Sequence, residues 1–189
     1  MNMFLPTTSP IDDEFLRKFK RQTEARWDHE GINPGIYGFQ FQRGARWNRG
    51  LTEADIAMYQ ADLGVQFSDD FKHMLCLMNG TDLPTINIYG SSGEPQRTSV
   101  GVYSYPRDLS IVQELRRETE QGRDEITAEL LDQGFELEPN ANLVPIFSHR
   151  YIVCGADPGK SVVLSIVGTD AIVYGNSLRT YLQAEFLPN

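Results

Sequence analysis

The stretch that decides the fold is residues 52–80, TEADIAMYQADLGVQFSDDFKHMLCLMNG, and it predicts two short helices joined by a turn. Thr52 can cap the first helix, with Asp55 three residues further on near the helix start. Gly64 follows Leu63 as a left-handed helix stop. The second helix carries apolar residues at i, i+3, i+4 and i+7, namely Phe71, Met74, Leu75 and Met78. Asn79 and Gly80 both tolerate positive φ, so we expect them to end that helix.

Residue patterns before and after this stretch predict further helices and strands, with one helix near each end of the chain. Before it we expect a helix over residues 10–27 and a half-buried strand over 36–42. After it we expect strands over 86–89 and 100–103 with a turn over 91–96, helices from Asp108 and Arg123, four strands over 143–174, and a last helix over 176–186. Pro145 favours an edge strand or a strand start. Separate runs of helices and strands predict an α+β fold.

The charge is concentrated in one part of the chain. The formal net charge is −9; residues 1–50 carry eight basic and six acidic side chains, which leaves nine basic and twenty acidic in residues 51–189. An acidic surface argues against binding to nucleic acid or to an anionic membrane, and it suits a basic partner. No apolar run of 18 residues or basic, apolar leader is present, so we expect a cytoplasmic protein.

The residue types that usually carry chemistry do not form a recognisable motif. The sequence contains no P-loop, no GxGxxG after a strand and no GxSxG. His73 and Cys76 have a spacing that suits two zinc ligands, but no second Cys or His pair completes a site. His149 and Cys154 differ in strand parity, so we expect them to point to opposite faces. We therefore predict no catalytic residue, cofactor or metal, although an acid pair from distant segments stays open.

The most acidic segment is residues 124–138, which contains no Lys or Arg. It has two interpretations: a solvated helix face, or a surface that captures a basic protein. In the second interpretation the partner-binding residues are Asp124, Glu125, Glu129, Asp132, Glu136 and Glu138.

The segment 52–80 resembles the SUKH superfamily, whose members have the SMI/KNR-like domain. The resemblance rests on Leu63-Gly64, Asp70-Phe71 and Asn79-Gly80, and further along on Pro145 within the stretch LVPIF at 143–147. It covers about residues 51–187 and divides the chain into an N-terminal helix and strand extension, 1–50, and a SUKH-like domain, 51–189. Gln66-Phe67 and Ser148-His149-Arg150 depart from the family pattern.

The resemblance implies a bent, mixed, mainly antiparallel sheet with helices packed beside it. It also implies a non-catalytic immunity protein that binds and neutralises a bacterial toxin, such as a nuclease or a deaminase. We expect a basic toxin partner and a monomer or weak homo-oligomer. A regulatory or scaffold module, like the family's yeast cell-wall regulator, is the alternative, and a small enzyme using a carboxylate pair is a third.

Overall fold

The computed structural model describes residues 10–89 and 96–187 and shows an α+β fold, as the sequence predicts. The helices are α1 Asp13–His29, α2 Glu53–Leu63, α3 Asp69–Leu77, α4 Leu109–Gln121, α5 Arg123–Asp132 and α6 Leu178–Phe186. The strands are β1 Gly38–Phe41, β2 Trp47–Arg49, β3 Met78–Thr81, β4 Thr85–Ile88, β5 Gln96–Ser99, β6 Asn142–Phe147, β7 Arg150–Cys154, β8 Val163–Val167 and β9 Asp170–Gly175. No helix in these ranges is long and apolar enough to cross a membrane.

Helix α2 begins and ends where its sequence predicts. The Thr52 hydroxyl accepts from the Asp55 N–H at 3.2 Å, and the Asp55 carboxylate accepts from the Thr52 N–H at 3.0 Å. These reciprocal bonds satisfy two backbone donors that an uncapped helix would leave open. Gly64 ends the helix at φ 65°, a left-handed conformation that costs glycine little.

The strands form three antiparallel sheets in the described ranges rather than one mixed sheet. Their strand orders are β1-β4-β5, β2-β3 and β6-β7-β8-β9. Strand β6, which contains Pro145, is therefore an edge strand, one of the two positions that its proline favours. The predicted strand over 100–103 is wrong: this segment makes only one bridge, from Val102 to Phe147. It still connects two sheets, because Thr81 N–H donates to the Val102 carbonyl at 3.2 Å and Tyr103 N–H donates to the Ile146 carbonyl at 3.0 Å. The predicted turn over 91–96 lies outside the described residues except for Gln96, where β5 begins.

Asn79 and Gly80 are not the helix stop that the sequence predicts. Helix α3 ends at Leu77, and both residues lie in β3. The buried Asn79 amide accepts from the Tyr105 N–H at 2.9 Å and donates to the Tyr105 carbonyl at 2.6 Å. Gly80 has φ 69°, and a Cβ there would lie 2.5 Å from the Val102 carbonyl oxygen. Contacts with residues 102–105, and not a helix end, therefore explain why Asn and Gly stand at these two positions.

The sheet β6-β7-β8-β9 carries a hydrophobic cluster on each face because alternate residues of a strand point to opposite faces. The smaller cluster packs Ile126 and Leu130 of α5 against Leu164 and Ala171. The larger cluster receives side chains from five helices, α1, α2, α3, α4 and α6.

Residues 10–50 contribute directly to the larger cluster. Leu16, Phe19 and Trp27 of α1 are buried there with Trp47. In addition, β1 pairs with β4 and β2 pairs with β3. The division at residue 50 that the resemblance suggests therefore runs through one continuous core.

Candidate functional site

Helix α5 places most of the predicted partner-binding acids on its outer surface. Ile126 and Leu130 are fully buried under the helix. Glu125, Glu129 and Asp132 follow at spacings of four and three residues, so they share one side of the helix, and all three are exposed. We call these three residues the acidic face. Asp124 is exposed at the start of the helix, and Glu136 is exposed in the loop after it.

The acidic face carries charge that no neighbouring cation in the described residues neutralises. Within residues 10–89 and 96–187, none of its three carboxylates forms an ion pair, whereas Asp13, Asp28 and other acids do. Glu138 differs from the other predicted acids because it is partly buried, and its Oε2 accepts from the Ala156 N–H at 2.8 Å. That hydrogen bond holds the segment between β7 and β8 in place, so Glu138 has a structural role.

A groove that sequence reasoning missed lies on the other face of the β6-β7-β8-β9 sheet. It has a volume of about 750 Å³ and is lined mainly by aromatic and polar side chains, among them Tyr37, Phe39, Asn87, His149, Arg150, Tyr174 and Glu185. Among the described residues, the exposed side chains of Tyr37 and Tyr174 line it, and Ile172, which is also exposed, lies two residues before Tyr174 on the same side of β9. A grouping of this kind is typical of a binding surface.

Arg150 is held rigidly in this groove. Its Nε donates to Glu185 Oε2 at 3.0 Å, its Nη1 donates to Ser165 Oγ at 2.7 Å, and its guanidinium carbon lies 3.7 Å from the Tyr174 ring centre. The side chains of Arg150 and Glu185 are only 12% and 16% exposed. The two charges in the groove therefore neutralise each other.

His149 and Cys154 do not form a nucleophile pair. Burial, together with the positive charge of Arg150, lowers the pKa of His149 to about 4, so the ring in the groove is neutral at pH 7. Cys154 does not line the groove but is buried in the larger cluster, where burial raises the pKa of its thiol to about 11. A neutral thiol is a poor nucleophile.

His73 is fixed by the first helix. Its Nδ1 lies 3.1 Å from the Ile11 carbonyl oxygen and its Nε2 lies 2.5 Å from Asp13 Oδ1. The nearby Cys76 thiol is exposed. No group of three or more His, Cys, Asp or Glu side chains in the described part of the chain has an arrangement that could hold a metal ion.

The residues on which the resemblance to the SUKH superfamily rests have structural roles. Leu63 and Phe71 are buried in the larger cluster, and Pro145 is buried in β6. Asp70 accepts from the Ile11 N–H at 3.0 Å and from the Ser161 hydroxyl at 2.7 Å.

Two signals for the groove existed in the sequence, but neither was specific. Ile36 and Tyr37 follow Asn33-Pro34-Gly35, a turn sequence that favours an exposed position. Ile172 and Tyr174 alternate with Ala171 and Val173 in an apolar strand, and the pattern alone does not indicate which pair is buried.

No family model and no curated protein matches this sequence. The case for its function therefore rests on the geometry of the acidic face and the groove.

Proposed function

We propose that this chain is a non-catalytic immunity protein that acts in the cytoplasm by binding a basic toxin domain. The observation that carries the proposal is the acidic face of α5, whose three exposed carboxylates have no ion-pair partner in the described residues. A surface charge that forms no ion pair within the fold is available to a partner. The excess of twenty acidic over nine basic side chains gives residues 51–189 as a whole a net negative charge.

Electrostatic complementarity explains how such a face would neutralise a toxin. A nuclease binds phosphates through a cleft lined with Lys and Arg. A rigid helix that presents Glu125, Glu129 and Asp132 on one side offers three carboxylates to such a cleft. Opposite potentials speed association, and the bound helix then excludes the substrate.

Coexpression with the product of the adjacent gene tests the proposal. We expect that product to be toxic alone and harmless together with this chain. Replacing Glu125, Glu129 and Asp132 with Lys should weaken the complex by about tenfold or more in a calorimetric titration. The matched control replaces Glu14, Glu53 and Glu118, which are also exposed helix acids, with Lys. Toxicity that this chain does not relieve contradicts the proposal.

The groove favours a scaffold module as the second candidate function. It lies on the opposite face of the sheet from α5, so one partner could occupy each surface. The variant Tyr37→Ser with Tyr174→Ser discriminates between the two functions. If toxin binding is unchanged in this variant, the groove is a separate surface and a second partner is favoured. If toxin binding is weakened, both surfaces serve the same partner.

A further inference from the structure

Strand β9 is the outer strand of its sheet, and one of its outward backbone groups, the Ala171 carbonyl, is bonded to the Gln133 side chain. The β6-β7-β8-β9 sheet ends at β9, and no strand among residues 10–89 and 96–187 pairs with its outer side. Ile166, which faces Ala171 across the β8–β9 pair, donates its N–H to the His149 carbonyl at 2.9 Å, away from β9. Ile166 and Ala171 therefore form a non-hydrogen-bonded pair, in which the backbone N–H and C=O groups of the two residues point away from each other. The backbone N–H and C=O of Ala171 therefore point away from β8, towards the outer edge of the sheet. Those of Val173, two residues further on, point the same way.

A side-chain contact confirms the orientation of this edge. The Gln133 amide donates to the Ala171 carbonyl at 2.7 Å from the end of α5, so that carbonyl is on the outer side of β9. Gln133 also donates to the Glu129 carbonyl one turn earlier. Because residues four apart are neighbours on a helix, Glu129 and Glu125 lie along the same flank of α5 as Gln133. The acidic face thus borders the β9 edge on one side of the sheet.

The other side of the same edge is apolar. Ile172 and Tyr174 point away from α5 and are 46% and 37% exposed. Val167, on the paired strand and the same side, is 62% exposed. Proteins normally protect an edge strand with Lys, with Pro or with a covering segment. The sequence of β9 is DAIVYG, which contains neither Lys nor Pro.

We infer that a strand of the partner adds to β9, with alternating basic and apolar side chains. This inference rests on the proposed function and specifies where the partner binds. Successive side chains of a strand point to opposite faces, so every second residue would meet Glu125 and Glu129, and the others would meet Ile172 and Tyr174. Charge complementarity selects this occupant over a second copy of the chain, because self-pairing would bring two acidic faces together.

A peptide titration tests the inference on the full chain. The probe is a short peptide of alternating Lys and Val, and the controls are a block-sequence peptide of the same composition and an alternating Glu–Val peptide. We expect saturable binding of the alternating Lys–Val peptide only, with slower hydrogen exchange of the Val173 amide. Equal binding of the block peptide, or absence of saturable binding up to about 1 mM, overturns the inference.

Two pairs of variants assign the binding to the edge and to the charge. Val173→Pro removes the outward N–H and should abolish binding, while Val173→Thr keeps the N–H and should bind normally. Circular dichroism checks that both variants fold. Glu129→Lys should weaken binding about two- to fivefold, and the matched Glu53→Lys on α2 should not. Wild-type chain that dimerises through β9, detected by ultracentrifugation and reversed by Val173→Pro, contradicts the basic-strand occupant.

The same variants separate this inference from the proposed function. If Val173→Pro loses toxin neutralisation in coexpression while Val173→Thr retains it, the strand-addition site is supported. If Val173→Pro neutralises as well as wild type, strand addition is wrong and the immunity function stands. If wild type itself does not neutralise the toxin, the proposed function fails, whatever the peptide titration shows.

Discussion

Asp70 provides the sharpest test of how this fold is held together. Its Oδ1 accepts from the Ile11 N–H at 3.0 Å, and its Oδ2 accepts from the Ser161 hydroxyl at 2.7 Å. The Ser161 oxygen in turn accepts from the Leu178 N–H at 3.3 Å. One carboxylate therefore connects the start of α1 and, through Ser161, the start of α6 to helix α3.

The structure sets the size of the effect for Asp70→Ala. Each lost hydrogen bond to a charged acceptor costs about 1.5–3 kcal/mol. Ser161 is 3% exposed and Ile11 is 4% exposed, so water replaces the lost acceptor poorly, whereas the Asp70 position itself is only partly buried. We expect a decrease of about 3 kcal/mol in the free energy of unfolding, which corresponds to a melting temperature about 6–12 °C lower. Asp70→Asn should lose less, because its amide keeps an acceptor for Ile11.

Urea denaturation followed by circular dichroism measures this difference. The matched control is Asp69→Ala, since Asp69 is the adjacent acid and pairs only with Lys72, at side-chain exposures of 64% and 38%. An exposed pair of this kind contributes about 0.5 kcal/mol or less, so the control should unfold almost like wild type. An Asp70→Ala variant within about 1 kcal/mol of wild type, or one no weaker than Asp69→Ala, would refute the reasoning.

Three further predictions concern the groove and β3. Because the folded pKa of His149 is about 4 and its ordinary value is 6.5, the unfolded chain gains a proton first as the pH falls. Stability should therefore decrease from about pH 6.5 to 4 by at most about 1.4 kcal/mol per pH unit, and His149→Gln should flatten that slope in urea melts at several pH values. Glu185→Gln should cost about 2–3 kcal/mol by leaving the Arg150 charge unpaired, and the double variant with Arg150→Met should lose less stability than the sum of the two single variants; additive effects would contradict it. Gly80→Ala should cost about 2–4 kcal/mol by thermal melting, because its Cβ would clash with the Val102 carbonyl at positive φ.

The acidic face illustrates what a helical repeat in the sequence can predict. The spacing of Ile126 and Leu130 identifies the buried side of α5, and the acids at 125, 129 and 132 then fall outside it. Glu138 shows where this reasoning ends. It lies beyond the helix, and its bond to the Ala156 N–H depends on how the loop after α5 packs against the end of β7.

Asn79 and Gly80 show how a local pattern can mislead. An Asn-Gly pair after an apolar helical stripe is a normal helix end, because both residues accept positive φ. Gly80 does have positive φ, but it lies in a strand, where the close approach of the Val102 carbonyl also requires a glycine. The sequence shows the conformational tolerance of these residues and not the contact that uses it.

The α+β class, the capped ends of α2 and the exposure of the acidic face could be predicted from the residue pattern, and an edge position was one of the two alternatives for β6. Each of these depends on residues within one or two turns of helix or on the alternation within one strand, so the interactions are local and visible in the residue pattern. The tertiary structure alone decided the groove, the neutral pair of Arg150 and Glu185, and the outer edge of β9 beside the acidic face. These features join segments far apart in the chain, because they depend on which strand pairs with which and on which side of a sheet each helix packs.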